Sequence, residues 1–141
     1  MSPLEPGDSP GFLLWHTTLR WQREVTAALA PLGLTHVQFV LLACAWWMNR
    51  GGETPTQVAL AAQAGTDVKM TSQVVRALEA KGLLERTVDP ADTRARRLRV
   101  TAAGKRLAPR AIRAVEGVDA AFFAPVPTAH ALELLGRLAA D

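Results

Sequence analysis

Residues 88–101 read VDPADTRARRLRVT, a stretch in which Arg94, Arg96, Arg97 and Arg99 crowd beside Asp89 and Asp92 between apolar flanks. The apolar positions decide how it folds. Leu84 and Val88 fall in step on one face of an extended segment, and Leu98 and Val100 do so on a second. Two such segments joined by Asp89-Pro90-Ala91-Asp92-Thr93-Arg94 predict a β-hairpin. Its connection reads as too long for a two-residue turn and suited to an extended loop. A charged edge that resists sheet aggregation accounts for one or two arginines. It does not account for the whole set, so contact with a polyanion is the stronger reading.

What precedes the hairpin has helical spacing. Thr54-Pro55-Thr56-Gln57 places Thr at an N-cap, Pro at the first helical position and Gln at the third, predicting a short helix to about Ala64 that Gly65 ends. Asp67, or Thr66 before it, can cap another helix that runs to Lys81 and stops at Gly82. Thr71, Val74, Val75 and Leu78 share one face of that helix; Lys69, Ser72, Gln73 and Arg76 share the opposite one. Two short helices across a glycine-containing turn form a helix-turn-helix by arrangement.

Further out, Thr35-His36-Val37-Gln38 is a second capping box, opening a helix apolar almost all round and therefore central. Asn49-Arg50-Gly51-Gly52 stops it. Leu14, Trp21, Val25 and Ala28 predict an earlier helix from Phe12 to Leu29, closed by Pro31 and Gly33 after a frayed arm at residues 1–10. Downstream, Thr101 caps a long helix through about Phe123 with Leu107, Ala111, Val115 and Val118 as its stripe. Pro125 and Pro127 break the chain, and Thr128 caps a last helix bearing Leu132, Leu135 and Leu138. The fold class is mainly α with one small β-hairpin.

Charge follows the same division. The chain of 141 residues carries +3 overall, but Lys69 to Arg113 alone holds twelve Lys/Arg against four Asp/Glu. A concentrated basic segment attracts polyanions because each neutralised phosphate releases condensed counterions. Other function classes find little support. His16, His36 and His130 have no metal-ligand spacing, and no catalytic Ser-His, Cys-His or paired-carboxylate arrangement stands out. Neither a cofactor nor a metal is expected, and the chain does not read as an enzyme. Its longest apolar run, Val37 to Met48 with Gln38 inside, is too short to span a bilayer. The N-terminus lacks the basic segment of a signal peptide. A single cysteine, Cys44, excludes an internal disulfide; lying among Ala43, Ala45 and Trp46, it reads as an inert buried thiol. A cytoplasmic protein without membrane contact is the expectation.

The ordered series Gly82-Leu83-Leu84-x-Arg86, Asp89-Pro90-x-Asp92-x-Arg94 and Val100-Thr101-x-x-Gly104, preceded by LTHVQFVLLA and the two short helices, resembles the MarR-type winged helix-turn-helix regulators of bacteria over about residues 12–123. The resemblance implies a homodimer whose first and last helices intertwine, so that 1–34 and 102–141 form a dimerisation region around a winged domain at 35–101. It also implies binding to pseudo-palindromic duplex DNA, usually as a repressor relieved by a small aromatic or oxidising effector. Asp67–Lys81 then looks like the recognition helix and Asp89–Arg94 like the wing tip. His36 stands where the family often has proline, and the last helix is short, which shifts weight in the dimer onto the first helix and Phe122-Phe123.

Each group has a stated role in that reading. Lys69, Ser72, Gln73 and Arg76 are the expected major-groove contacts. Arg94 is the expected minor-groove side chain, held by Asp92, with Arg96, Arg97 and Arg99 on phosphates. Trp15, His16, Arg20, Trp46 and Trp47 are the expected lining of an effector pocket, against packing as the plainer explanation of any single Trp. The alternative in another class is a winged-helix docking module for proteins, which need not show the steep salt dependence of DNA binding.

Overall fold

A computed structural model describes residues 2–140. In chain order it has helix α1 (Pro10–Leu29), α2 (His36–Arg50), α3 (Gln57–Ala64), α4 (Val68–Ala80), strands β1 (Leu84–Asp89) and β2 (Asp92–Val100), then α5 (Ala102–Phe122) and α6 (Thr128–Ala139). Local signals place most boundaries. Thr35 and Gln38 form the expected reciprocal capping box, each side chain taking the other's backbone N–H at 3.2 Å. Asp67 accepts from the Met70 N–H at 2.7 Å and Thr101 from the Gly104 N–H at 3.1 Å. Gly33 and Gly65 leave α1's short 3-10 extension and α3 at φ +72° and +74°, where any side chain would be strained.

The core gathers on α2, as its all-round apolarity requires. Leu41, Leu42 and Ala45 are fully buried among Val25 and Leu29 of α1, Leu60 of α3, Val75 and Leu78 of α4, Leu98 and Val100 of β2, and Ala111 of α5. The four residues expected on the inner face of α4 are its buried ones. Thr71 is polar yet wholly buried because its hydroxyl is satisfied, donating to the Asp67 carbonyl at 2.7 Å and meeting Thr66 Oγ1 at 2.7 Å.

Three local expectations need correction. The N-cap of α3 is Thr56, bonded to the Ala59 N–H at 3.2 Å, and not Thr54. The Pro55 carbonyl instead accepts from the Leu98 N–H at 2.8 Å, so Thr54-Pro55 lines the hairpin rather than starting a helix. The hairpin closes through two residues, Pro90-Ala91, between paired Asp89 and Asp92; Thr93, Arg94 and Ala95 then bulge out before Arg96 pairs with Val88. Val88 keeps its expected face but lies past the edge of the core, 53% exposed. Finally, Thr128 is the first residue of α6 rather than its cap; Pro127 holds that position without a side-chain bond.

Asn49, read only as part of a helix stop, ties α2 to the root of the hairpin. Its amide nitrogen donates to the carbonyls of Glu53 (2.8 Å) and Leu98 (3.3 Å), and its Oδ1 accepts from the Val100 N–H at 2.8 Å. Asn49→Ala leaves those backbone groups without partners and should cost about 1–3 kcal/mol, measured by urea unfolding.

Candidate nucleic-acid interface

The outward face of α4 is set by the anchoring of its first turn. With Asp67 capping and Thr71 held inward, Lys69, Gln73 and Arg76 stand exposed and Ser72 is half-buried. Arg76 donates to Ser72 Oγ at 3.1 Å, so these two form a joined polar pair. Arg86 of β1 reaches Glu79 of α4 at 2.7 Å and fixes the hairpin to the helix. That contact was not foreseen, since the two residues are seven apart and on different elements.

The hairpin divides its arginines between structure and solvent. Arg94 leaves the bulge with its side chain 93% exposed. Asp92 Oδ1 accepts the Arg94 backbone N–H at 3.0 Å and lies 3.7 Å from its guanidinium, beyond hydrogen-bond distance, so Asp92 fixes the backbone of the bulge more than the side chain. Arg96 is exposed and donates to the Thr93 carbonyl at 2.9 Å, bracing the bulge. Arg99 is exposed. Arg97 departs from expectation as a phosphate contact. Its Nε and Nη2 lie 3.0 and 2.8 Å from Asp89 Oδ2, and its Nη1 donates to the Thr54 carbonyl at 3.3 Å. It pins the turn to the segment before α3.

Asp89 completes that pin. It is buried, and its carboxyl sits below the ordinary range because the Ala91 N–H and then the Arg97 guanidinium favour the charged form. A depressed folded value means the pin holds above about pH 4, the ordinary aspartate value, and weakens as pH falls through the lower folded one. Protection factors of the β1 and β2 amides should therefore fall in acid before those of the helices do.

The five residues expected to line one effector pocket do not share one within the chain. Trp15 and Trp47 are 61% and 64% exposed. His16 and Arg20 line one cleft of 380 Å³ with Phe122, Phe123 and Pro125; His16 also stacks edge-on with Phe12, and Arg20 lies 5.0 Å from the Phe122 ring. Trp46 belongs to a separate cleft of 540 Å³ at the root of the hairpin. Helical spacing places side chains on faces, but not which faces of different helices meet. The remaining tryptophan, Trp21, donates to Asp119 of α5 at 2.8 Å and packs edge-on with His36 at 5.0 Å. Burial lowers the His36 pKa, against the raising effect of Asp119. Burial likewise raises the Cys44 thiol. At pH 8 Cys44 should react with Ellman's reagent more slowly in the native protein than in urea; equal rates would contradict a shielded thiol.

A helix-turn-helix followed at once by a two-stranded hairpin on a shared core defines a winged-helix protein. Residues 34–95 match the MarR family. An HTH-type transcriptional regulator of Bacillus subtilis, YdcH, is 50% identical over 119 residues, 84% of this chain and 81% of its own. An HTH-type transcriptional repressor of Mycobacterium tuberculosis is 32% identical over 138 residues, 95% and 96% of the two chains. Among solved structures, CouR from Rhodococcus jostii RHA1, bound to p-coumaroyl-CoA, is similar at 29% identity and a TM-score of 0.84, covering 96% of this chain and 93% of its own. The chain belongs to the MarR family of transcriptional regulators. No single helix among the described residues is long and apolar enough to cross a membrane.

Proposed function

We propose that this regulator binds duplex DNA sequence-specifically as a homodimer and represses transcription, without enzymatic activity, in the cytoplasm. The observation that carries the reading is that α4 buries one face completely while exposing Lys69, Gln73 and Arg76, with Arg94 free at the tip of the hairpin bonded to it through Arg86. A helix of this kind fits the major groove, and an adjacent hairpin delivers arginine to the minor groove. Lys69, Ser72, Gln73 and Arg76 read or position base edges, Arg94 enters the minor groove with Asp92 supporting it, and Arg96 and Arg99 meet phosphates. Arg97 acts through the shape of the hairpin.

Dimerisation through 1–34 and 102–141 is supported by apolar surface that nothing in one chain covers. Phe12, Leu13, Leu14 and Trp15 of α1 are exposed, as are Leu132, Leu134, Leu135 and Leu138 of α6, which buries no residue of its own. A two-fold dimer reads two half-sites roughly 10 bp apart. A small aromatic ligand that favours a dimer with the wrong recognition-helix spacing would release the DNA by population shift.

Selection of bound sequences from a random duplex pool tests the reading: a pseudo-palindrome should emerge, and a pool no different from the input would overturn it. Gln73→Ala should bind with relaxed preference at one or two positions per half-site. An unchanged selected motif would remove Gln73 from base reading.

A further inference from the structure

We infer that the N-terminal half of α5 is a second cationic surface, which receives the phosphate backbone of DNA flanking the half-sites as the duplex bends onto the side of the protein. The hairpin and α4 account for only part of the basic segment between Lys69 and Arg113. Lys105, Arg106, Arg110 and Arg113 all lie on α5, and all are exposed.

Their order along the helix is the reverse of what the helix itself favours. The N-terminal end of a helix attracts acids and the C-terminal end attracts cations. In α5 every cation precedes the first acid, Glu116, and no acid stands in the first turn. Lys105 and Arg106, nearest that end, bear most of the mismatch. Arg106 and Arg110 are four apart and Arg110 and Arg113 three apart, so like charges are also neighbours on one stripe. Among the described residues none of the four makes an ion pair within 4.0 Å. The helix packs instead through Gly104, Ala108, Ala111 and Val115, its buried residues. Packing therefore requires none of these cations, and an anion from outside would relieve their repulsion.

The spacing fits a phosphate backbone. At 1.5 Å per residue, Arg106 to Arg113 spans about 10 Å of helix axis, the rise of about three phosphates on one strand of a duplex. Guanidinium groups meet phosphate bidentately, and three of the four cations are arginines. Continuity with the hairpin favours DNA over an acidic protein. Arg99 of β2, proposed above to meet phosphate, lines one cleft with Lys105, and no carboxylate interrupts that lining. The stripe nevertheless starts beyond the half-site itself. Thr101, the cap of α5, donates to the Gly82 carbonyl at 2.6 Å, past the C-terminal end of α4, whereas Lys69 to Arg76 lie towards its other end. A duplex reaches α5 by running past the hairpin and curving towards it, a bend whose elastic cost the extra contacts offset. The choice of DNA as partner rests on the function proposed above; the unpaired stripe does not.

The test compares the parent with Arg106→Gln/Arg110→Gln/Arg113→Gln on two duplexes, the selected site alone and the same site extended by about two turns, roughly 20 bp, on each side. The parent should bind the long duplex about tenfold more tightly than the short one, with a log–log salt slope steeper by about three units. The variant should bind both duplexes as the parent binds the short one, and its melting temperature should not fall. Energy transfer between dyes on the two ends of the long duplex should rise with the parent and stay flat with the variant. A parent indifferent to length, a variant that keeps the length preference or loses affinity for the short duplex, or a lowered melting temperature would overturn the proposal. So would two separate duplexes joined through the stripe, which would make the partner a second DNA segment. An altered oligomeric state of the variant would overturn it as well, by placing the stripe between copies of the chain. If selected and scrambled duplexes bound alike, the function proposed above would fail. The salt slopes of parent and variant on long duplexes would still decide the α5 contact, because phosphates carry no sequence.

Discussion

Arg94→Ala should bind the selected duplex about tenfold more weakly, within the ~1–3 kcal/mol of a specific arginine contact, while unfolding in urea as the parent does. The pairing of those two outcomes follows from its position. With a side chain 93% exposed on the bulge and only a distant partner in Asp92, Arg94 contributes nothing that the fold would miss. The log–log salt slope of binding should also fall by about one unit, as for any lost phosphate or groove cation. Arg97→Ala removes the same charge three residues away with a different result. It leaves the buried Asp89 carboxylate without its guanidinium and frees the turn from Thr54, so exchange protection of both strands should drop along with affinity. Equal effects of the two substitutions on exchange would contradict the division of the hairpin into a pinned and a free arginine.

Gly104→Ala should destabilise the protein by about 3 kcal/mol in urea, at the upper end of overpacking effects. Helix propensity alone predicts the opposite sign, since alanine in a helix is favoured over glycine by about 1 kcal/mol. The local packing overrides it. A Cβ at Gly104 would run into the Leu83 carbonyl oxygen and approach Val100 Cγ1 to 2.6 Å. The Leu83 carbonyl cannot retreat cheaply, because it already accepts the Thr101 N–H at 3.1 Å in the junction that joins α5 to the winged domain. Gly117→Ala, with open space around it in the same helix, is the control and should be neutral or stabilising.

How much of this was legible depended on the range of the interactions. Caps at Thr35, Asp67 and Thr101 are satisfied within three residues, so the helix starts they mark were readable. Thr54 against Thr56 was not: both carry the same hydroxyl, and the choice is made by the Leu98 N–H, which claims the Pro55 carbonyl from across the fold. The alternation of Leu98 and Val100 placed the strands correctly, yet the bulge at 93–95 changed the turn and the surroundings of every arginine after it. Asp89 eight residues before Arg97 was the available signal for their pairing, and a register assumed from an extended loop concealed it. The candidate contacts on α4 came from a single helical face and lie together on it. The effector residues were drawn from two helices whose relative rotation no periodicity encodes; His16 and Arg20, one turn apart on α1, share a cleft, and Trp46 of α2 lines another.

The most direct test is a binding titration by fluorescence anisotropy, comparing the selected pseudo-palindromic duplex with a scrambled duplex across a series of salt concentrations. The account predicts specific binding at least about a thousandfold tighter than the scrambled control, with affinity for both falling steeply as salt rises. Equal affinity for the two duplexes, or affinity indifferent to salt, would contradict it.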